Sequence, residues 1–400
     1  MNPYSIVGPA KNSMFVGYSD ELNYIVRNVA APGEERRSFF IPGARMGKTS
    51  LLAQIERRLS VDPLKNGSNL WLIPLKLGLK GLKAQNLFGE IADKLYGYLT
   101  TSPLPIDISS EVKDEFQKVK KTSGQFDSFV RSLDILKEEV RTAEPSIYLR
   151  IALLIDDLWS EKMSEETVEN LDHKLTSLYT HGSLGQVVVY VITAGLHQLG
   201  EERNIGPQWD GILLNKDLHV LSKDQSLKLI NEHSPGHIHE NVAEEIYEET
   251  GGHPYLIQWA MSKICERDNL EELTKDDVSN IINRRILEDH SSGLIFWWKK
   301  LSPVDITIYN IFCRHMHDRT FNTWDDALMR MRFDTPPTEK ERLMMKKERR
   351  TMTDEERLMK IRNSLRVLKT MGLIRENQGE IDEIYELAGN WPARWFLRRR

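Results

Sequence analysis

Residues 39–52 read Phe39-Phe40-Ile41-Pro42-Gly43-Ala44-Arg45-Met46-Gly47-Lys48-Thr49-Ser50-Leu51-Leu52. The first three residues are apolar and suit a buried strand, whereas the residues from Thr49 onward have the pattern of a helix. The turn between them predicts a phosphate-binding loop, because backbone N–H groups at the start of a helix can point at phosphate oxygens. The alternative is a chance Gly-Lys-Thr in a turn. The strand before it, the helix after it and Arg45 within it argue against that alternative.

The loop predicts a role for each of its polar groups. Lys48 would neutralise the β- and γ-phosphates of a nucleotide and act in catalysis, and the Thr49 hydroxyl would bind Mg²⁺. The usual pattern has a glycine where this chain has Pro42, and the glycine is displaced to Gly43. The loop can still form, because Gly43 and Gly47 both permit a positive φ. The nucleotide-binding residues predicted in this segment are Pro42, Gly43, Ala44, Arg45, Met46, Gly47, Lys48, Thr49 and Ser50.

A second segment supplies the carboxylates that such a site needs. Residues 151–157 read Ile-Ala-Leu-Leu-Ile-Asp-Asp, and an apolar run of this kind suits a strand that is covered on both faces of a parallel sheet. At the end of this strand, Asp156 is predicted to hold Mg²⁺ and Asp157 to orient or activate the attacking water. The alternative is a pair of solvated carboxylates that close an ordinary strand.

Further strand patterns indicate the topology. They occur at residues 70–75, where Pro74 indicates an edge strand, at residues 187–193 and at residues 218–221. Helical patterns alternate with them, so we expect a doubly wound, parallel α/β sheet with its ligand at the carboxyl ends of the strands. The strand 187–193 is predicted to lie between the phosphate-loop strand and the carboxylate strand. Thr193 at its end would then face the γ-phosphate as a polar sensor, or it is simply a threonine that ends a strand.

The composition limits the class of protein. With 400 residues the chain can form two or three domains, and 40% hydrophobic and 28% charged residues are typical of a soluble globular protein. No apolar run approaches the roughly 18 residues that span a bilayer. No secretory signal is visible at the N-terminus, and two cysteines cannot form a disulfide framework. We therefore expect a cytoplasmic protein that does not contact the membrane.

The net charge of −5 hides an asymmetry. Residues 340–375 contain 12 Lys/Arg and 5 Asp/Glu, a net charge of +7, so the rest of the chain carries −12. A basic segment of this kind is a nucleic-acid surface, a patch that docks on the acidic part of the chain, or a solvated helical face. The acidic residues interleaved with the basic ones favour the solvated face.

Four motifs, taken in order, resemble those of STAND-type and related AAA-like (archaeal-ATPase-like) P-loop ATPases. The first is Asn2-Pro3-Tyr4 followed by Met14-Phe15-Val16-Gly17-Tyr18-Ser19-Asp20-Glu21-Leu22, the second is Arg45-Met46-Gly47-Lys48-Thr49-Ser50-Leu51-Leu52, and the third is the Asp156-Asp157 pair. The resemblance implies that Phe15 and Val16 lie near the adenine of ATP. Tyr18 stands where the family usually has an arginine.

The fourth motif is Thr250-Gly251-Gly252-His253-Pro254-Tyr255-Leu256-Ile257-Gln258, which is similar to the Gly-x-Pro motif of the helical unit that follows the nucleotide core. The resemblance implies that Pro254 packs near the adenine. The residues by themselves predict a helix that ends at two glycines and another that begins at Pro254. AAA-type ATPases place an arginine for a neighbour's γ-phosphate where this chain has Arg203, with Arg284 and Arg285 as weaker candidates.

The remaining chain completes the predicted fold. Residues 223–290 have the pattern of a small helical bundle. Helices near 306–315, 324–331 and 354–371, with a hairpin over 373–387, predict a winged helix. Its third helix carries the basic residues Arg357, Lys360, Arg362, Arg366 and Lys369. We therefore predict a P-loop NTPase core of the ASCE type in residues 1–222, an all-α lid in 223–292 and a winged helix in 293–400.

Three functions fit this organisation. The one that the resemblance favours is a switch that binds ATP and Mg²⁺, hydrolyses ATP slowly and alters a homo-oligomer or a separate effector or sensor chain, in regulation or defence. The second is an ATPase of the origin-recognition or transposition-associated type, which would bind DNA through residues 354–371. The third is a structural interaction module whose hydrolysis is vestigial.

Overall fold

The computed structural model describes residues 4, 14–31, 35–43, 45–61, 69–78, 86–158, 165–182, 184–194, 209, 211–267, 269–288, 301–314, 320–322, 354–378 and 383–398. The predictions for Ala44, for Arg203 and for the helix at 324–331 lie outside these residues.

A five-stranded parallel sheet forms the N-terminal core. Its strands are β1 (Ser38–Ile41), β2 (Leu70–Gly78), β3 (Tyr148–Asp156), β4 (Val188–Thr193) and β5 (Leu213–Asn215). Their order is β2-β3-β4-β1-β5, with every pair parallel. The prediction that β4 separates β1 from β3 is confirmed, and so is the edge position of the strand that contains Pro74. The register pairs Ile41 with Thr193 and Ile155 with Ile192, which brings the ends of β1, β3 and β4 to one edge of the sheet.

One predicted strand is wrong. Residues 218–221 are not a strand, and the fifth strand is β5, which pairs with the first three residues of β1. Leu218 and Leu221 are nevertheless buried, because they pack with the helices that follow the sheet. The backbone N–H of Leu221 donates to the carbonyl of Gly252 at 2.9 Å. The apolar pattern of this segment therefore reflects burial against the helices that follow the sheet, and not strand pairing within the sheet.

In the described residues, six helices cover the two faces of the sheet. They are α1 (Ser19–Val29), α2 (Lys48–Ser60), α3 (Leu87–Thr101), α4 (Ser110–Val119), α5 (Gln125–Ala143) and α6 (Glu165–Thr180). Side chains on a strand alternate between faces. Accordingly Phe39 and Ile41 pack with α1 and α2, whereas Phe40 packs on the opposite side with α3 to α6. This three-layer arrangement buries every residue of β1 and β4.

A lid of four helices follows the sheet. It comprises α7 (Lys223–Asn231), α8 (Glu240–Thr250), α9 (Pro254–Ile264) and α10 (Lys275–Glu288). A capping box between Ser222 and Gln225 begins α7. Gly251 ends α8 with a φ of 61°, and Pro254 occupies the first turn of α9, as the sequence predicts. The corner between α8 and α9 is therefore set by the glycine that ends one helix and the proline that begins the next.

A C-terminal unit packs against the lid. It consists of α11 (Pro303–Arg314), β6 (Thr320–Asn322), α12 (Asp354–Thr370), β7 (Ile374–Gln378), β8 (Glu383–Leu387) and α13 (Asn390–Arg398). Its strands form an antiparallel sheet in the order β6-β8-β7. These elements match the first and third helices and the hairpin of the predicted winged helix. The rings of Trp391 and Trp259 lie 4.8 Å apart, and Arg394 pairs with the buried Glu249, so α13 joins this unit to the lid.

No helix in the described part of the chain has both the length and the apolar character required to cross a membrane.

The lid corner generates a stability prediction. Gly251→Ala should lower the free energy of unfolding by about 1–3 kcal/mol from backbone strain alone, because an alanine would be held at a φ of 61°. Its methyl group would also overlap the backbone of Ala388 and Gly389. Denaturant titration measures the effect. The control is Gly97→Ala in α3, where a Cβ meets nothing within 4 Å, and this change should be neutral or slightly stabilising. Equal stability of the two variants would contradict the packing of the C-terminal unit on the lid.

Candidate nucleotide-binding site

The loop between β1 and α2 has the backbone that the sequence predicts. Gly43 and Gly47 adopt φ values of 108° and 86°, and Arg45 adopts 59°. Gly47 is the residue that precedes α2, and its carbonyl accepts a hydrogen bond of 2.9 Å from the N–H of Leu51. The displaced glycine is therefore used, because Gly43 occupies a conformation that other residues rarely adopt. The turn leaves the first N–H groups of α2 facing the loop.

Lys48 begins α2 and folds back over the loop. Its Nζ donates to the carbonyl of Gly43. Burial lowers the pKa of this ammonium group to about 8, and the nearby carboxylates of Asp157 and Asp156 partly oppose the shift. The structure thus places one lysine and the two predicted acidic residues close enough to interact electrostatically. This is the arrangement in which a lysine can exchange a backbone carbonyl for a phosphate oxygen.

The ends of β3 and β4 are joined by the side chain of Thr193. Its hydroxyl donates to Oδ1 of Asp156 at 2.7 Å and accepts from the N–H of Asp157 at 3.1 Å. The N–H of Leu158 donates to the carbonyl of Thr193 at 3.1 Å. Thr193 is fully buried, and Asp157 adopts a φ of 60°. In this geometry the hydroxyl holds the carboxylate of Asp156, whereas the sequence predicts a hydroxyl that faces the γ-phosphate.

The oxygen donors suit magnesium. A hydroxyl from Thr49 and one or two carboxylates from Asp156 and Asp157 are hard ligands, and Mg²⁺ is usually bound in proteins by one or two carboxylates together with substrate phosphates. The hydrogen bond from Thr193 fixes the orientation of Asp156, as partners of metal-binding carboxylates commonly do.

A cleft of about 210 Å³ lies between the loop and the lid. Of the predicted residues, those that line it are Phe15, Val16, Arg45, Gly47, Lys48, Thr49, Ser50 and Pro254. The predicted loop residues Pro42, Gly43 and Met46 lie beside the cleft without lining it. Residues that line the cleft but were missed from the sequence are Met14, Tyr18, Leu221, Leu229, Tyr255 and Gln258. Tyr255 and Gln258 could have been found from their spacing to Pro254 on α9, whereas Leu221 has no local signature.

Tyr18 closes the side of the cleft next to the loop. It adopts a φ of 56°, and its buried hydroxyl donates to the carbonyl of His219 at 2.9 Å. The rings of Tyr18 and Phe15 lie 6.3 Å apart. A Cβ on Gly47 would lie 3.7 Å from the Tyr18 ring. Tyr18 is therefore a packing residue between the loop and the segment that leads to the lid.

Arg45 connects the loop to α9. Its guanidinium lies over the ring of Tyr255, 4.3 Å from the ring centroid, while the side chain is exposed. Small-molecule sites usually enclose about 300–1,000 Å³, which is more than this cleft provides. Asp156 and Asp157 do not line this cleft, so a bound nucleotide with Mg²⁺ would extend beyond it, and the stacked Arg45 is a side chain at the rim that can move at small cost.

His253 fills the space behind Arg45. It is fully buried, and its Nδ1 accepts from the N–H of Tyr255 at 3.2 Å. Burial and the charge of Arg45 lower its pKa to about 3, although hydrogen bonds with the backbone, including that of Met371, act in the opposite direction. The imidazole is therefore neutral at physiological pH.

The C-terminal unit packs against both the phosphate loop and His253. A Cβ on Gly43 would lie 2.9 Å from the carbonyl oxygen of Thr370, at the end of α12. A Cβ on Gly372 would lie 2.7 Å from Cδ2 of His253 and 3.2 Å from Sδ of Met46. The phosphate loop, the lid and the end of α12 therefore meet with no space between them.

Comparisons with known proteins give the fold. No family model and no curated protein matches the chain. A Walker-type ATPase of Pyrococcus abyssi matches with a TM-score of 0.55 at 15% identity, over 98% of this chain and 99% of that one. The chain has the fold of a P-loop ATPase.

Two further structures match at lower similarity. The Orc1 protein of Aeropyrum pernix, in complex with DNA, has a TM-score of 0.43 at 14% identity over 96% of this chain and 93% of its own. The Cdc6 protein of Pyrobaculum aerophilum has a TM-score of 0.40 at 15% identity over 97% and 98%. None of the three matches is described as a STAND protein, so the STAND assignment stays a resemblance.

The shifted lysine generates a pH prediction. With a pKa of about 8 in the free protein, Lys48 is charged below pH 8 and loses its proton as the pH rises above 8. Bound phosphates favour the charged form, so ADP affinity should fall above pH 8, and binding at pH 9 should take up close to one proton. Calorimetry in two buffers of different ionisation enthalpy measures the uptake. Lys48→Ala should abolish it and weaken binding about 10- to 100-fold, as expected for the loss of a hydrogen bond to a charged group. ADP affinity that stays constant from pH 7 to 9.5 would contradict the role of Lys48.

A second prediction concerns the ends of β3 and β4. Thr193→Val should raise the Mg²⁺ concentration needed for half-maximal turnover, because Asp156 loses its 2.7 Å hydrogen bond, whereas Thr193→Ser should restore the normal requirement. Asp156→Ala should show the same metal defect, and Asp157→Asn should bind nucleotide but lose turnover. A Thr193→Ser protein that needs as much Mg²⁺ as Thr193→Val would show that the hydroxyl does not support metal binding.

Proposed function

We propose that this protein is a molecular switch that binds ATP with Mg²⁺, hydrolyses ATP slowly and uses the nucleotide state to control the arrangement of its parts. The parts are a nucleotide-binding core in residues 1–222, a helical lid in 223–292 and a winged helix in 293–400. The observation that carries the proposal is the close approach of the loop, at Gly43 and Met46, to Thr370 and Gly372 of the C-terminal unit, with His253 of the lid packed against the same Gly372.

The site supplies the chemistry for ATP hydrolysis. Lys48 is positioned to bind phosphate oxygens, Thr49 and Asp156 would hold Mg²⁺, and Asp157 would orient the attacking water. The base would lie against Phe15, Val16 and Pro254, which line the cleft. None of the described residues that line the cleft is acidic, which favours adenine over guanine because the guanine edge carries the additional N2–H₂ donor.

The geometry favours a switch over a passive module. Arg45, stacked on Tyr255, is an exposed side chain at the rim of the cleft, and a bound nucleotide would displace it. On the other side of the loop, Gly43 and Met46 contact the end of α12. A change in the loop is therefore transmitted to the C-terminal unit, whose release exposes a new surface for a second copy or for a separate effector or sensor chain. In a homo-oligomer, Arg203 is our candidate for the arginine that reaches a neighbour's γ-phosphate.

A second candidate function is an ATPase that binds DNA through α12. On this helix Arg362 is exposed and Arg366 is partly exposed, and both belong to the basic segment. The docking contact uses the end of the helix at Thr370 and Gly372, so the basic face is left outside it. We favour the switch, because the remaining chain carries −12 and repels a duplex.

Hydrogen exchange tests the switch. Amides at the end of α12 and in β7, residues 368–378, should exchange faster when a non-hydrolysable ATP analogue is bound than in the free protein, because the loop no longer holds them. Amides of α5, which lies away from the loop, should be unchanged and serve as the internal control. The Lys48→Ala protein should respond only at about 10- to 100-fold higher concentrations of the analogue. The same exchange at residues 368–378 in all states would refute the proposal, even if ATP is hydrolysed.

Charge reversal on α12 separates the two functions. If α12 is not a DNA reader, wild-type affinity for duplex DNA should be weak, and Arg362→Glu with Arg366→Glu should change it no more than Arg57→Glu with Arg58→Glu on the exposed end of α2. If α12 reads DNA, the first pair should reduce affinity and flatten the logarithmic salt slope by roughly one unit per lost phosphate contact. Sub-micromolar wild-type affinity at physiological salt that only the α12 pair abolishes would establish the second function.

A further inference from the structure

A second cavity lies on the far side of the segment that connects the sheet to the lid. It encloses about 530 Å³, which falls within the range of roughly 300–1,000 Å³ that is usual for small-molecule sites. Its walls come from residues 219–223 of the connecting segment, from Tyr247 of α8, and from α12, β7 and β8 of the C-terminal unit. The cavity is therefore bounded by all the parts that the switch would rearrange.

Three cations from three elements line this cavity. They are Lys223 at the start of α7, Lys369 in the last turn of α12 and Arg375 on β7. Among the described residues, the carboxylates that line it are those of Glu376 and Glu386. Glu376 pairs with Lys369 and Glu386 pairs with Arg375. Lys223 pairs with Glu244 at 2.6 Å, and Glu244 does not line the cavity. The lining side chains sum to +1 and this outer partner neutralises that charge, so recognition of an anion rests on the hydrogen-bond donors that the lining presents and not on net charge.

Arg375 is the group best placed to bind an anion. Its Nε donates to Glu386, and its Nη1 donates to the hydroxyl of Tyr247 at 2.5 Å. These contacts hold the guanidinium plane in place, with its carbon 5.9 Å from the Tyr247 ring centroid. The Nη2 end makes no hydrogen bond to any residue in the described part of the chain. A planar, fixed guanidinium with a remaining donor edge matches the geometry of a carboxylate or a phosphate.

We propose that this cavity is a second ligand site, which binds a small molecule through a phosphate or carboxylate group held by Arg375 and Lys369. The amide of Gln225 and the hydroxyl of Ser222 line the same cavity and can bond to polar groups on the rest of the ligand. Val220 and Ile374 supply apolar contact. The site is separate from the nucleotide cleft and does not depend on the proposed function.

The connecting segment links the two sites physically. Leu221 lines both the nucleotide cleft and the second cavity. Its N–H is bonded to the carbonyl of Gly252, and the neighbouring His219 carbonyl accepts the hydroxyl of Tyr18. A ligand that bridges Arg375 of the C-terminal unit to the connecting segment stabilises the docked arrangement. By linkage, it changes nucleotide affinity in the same measure as nucleotide changes the affinity for this ligand.

The test uses inorganic phosphate and succinate as separate probes of the two anion chemistries. Each probe is titrated by calorimetry into the nucleotide-free full chain, in which the C-terminal unit is docked and the cavity is intact, and the Lys48→Ala protein reports any binding at the phosphate loop. Saturable binding of one equivalent of at least one probe is expected. Arg375→Gln and Lys369→Met should each weaken it about tenfold or more, as for the loss of a charge-assisted hydrogen bond. Lys118→Met is the matched control, because Lys118 forms a surface ion pair with Glu115 away from the cavity.

Two further variants separate loss of the second site from misfolding and from binding at the phosphate loop. Tyr247→Phe removes only the hydroxyl that holds Arg375, so it should weaken probe binding even if Arg375→Gln fails to fold. Lys48→Ala without ADP should still bind the probe, which shows that the phosphate loop is not the site. Saturable probe binding by a protein that does not bind ADP would refute the proposed function and leave this site standing. Failure of both probes to saturate the nucleotide-free wild type, or equal binding by wild type, Arg375→Gln and Tyr247→Phe, would overturn the second site.

Discussion

The contact between Gly43 and the end of α12 is the constraint on which the rest of the structure depends. The carbonyl oxygen of Thr370 lies so close to the loop that a single added methyl group on Gly43 would be 2.9 Å from it. Neither group at such a contact can shift slightly on its own, because packed interiors respond to volume changes by discrete rearrangement. Any movement of the phosphate loop has to move α12 or be blocked by it. Docking of the C-terminal unit therefore restricts the loop at which we propose that nucleotide binds.

The residues around this contact form a closed series of neighbours that runs through the loop, the lid and the C-terminal unit. Arg45 of the loop stacks on Tyr255 of the lid, and His253, two residues before Tyr255, is packed against Gly372. Gly372 in turn lies beside Met46, which is again in the loop. With its pKa near 3, His253 stays neutral at physiological pH, so protonation of this group does not disturb the packing. Changes in the packing of these residues are therefore set by what binds at Lys48 and Arg45.

Much of the fold could be predicted from the sequence because its main features are local. The positive φ values at Gly43 and Gly47, the buried run before Asp156 and the corner from Gly251 to Pro254 each follow from the residue types themselves. The position of β4 between β1 and β3 was predicted from the strand order expected of a doubly wound sheet with a phosphate loop, and not from local residue types.

The features that sequence reasoning missed depend on contacts between distant residues. The three residues of β5 are a strand only because they pair with β1, and residues 218–221 resemble a strand only because the lid covers them. The hydroxyl of Thr193 binds Asp156 because the register places the two strand ends side by side. The elements β6 and α13 and the second cavity likewise arise from the assembly of the C-terminal unit with the lid, for which no short motif exists.

The most direct test of the account is the affinity of Gly372→Ala for a non-hydrolysable ATP analogue. Gly372 does not line the nucleotide cleft, and it adopts a φ of 67° with His253 in the way of any side chain. The substitution therefore weakens docking without touching the nucleotide. If docking and nucleotide compete for the loop, reciprocity requires the variant to bind the analogue more tightly, by about fivefold or more. A correctly folded variant that binds the analogue as the wild type does, or more weakly, would contradict the account.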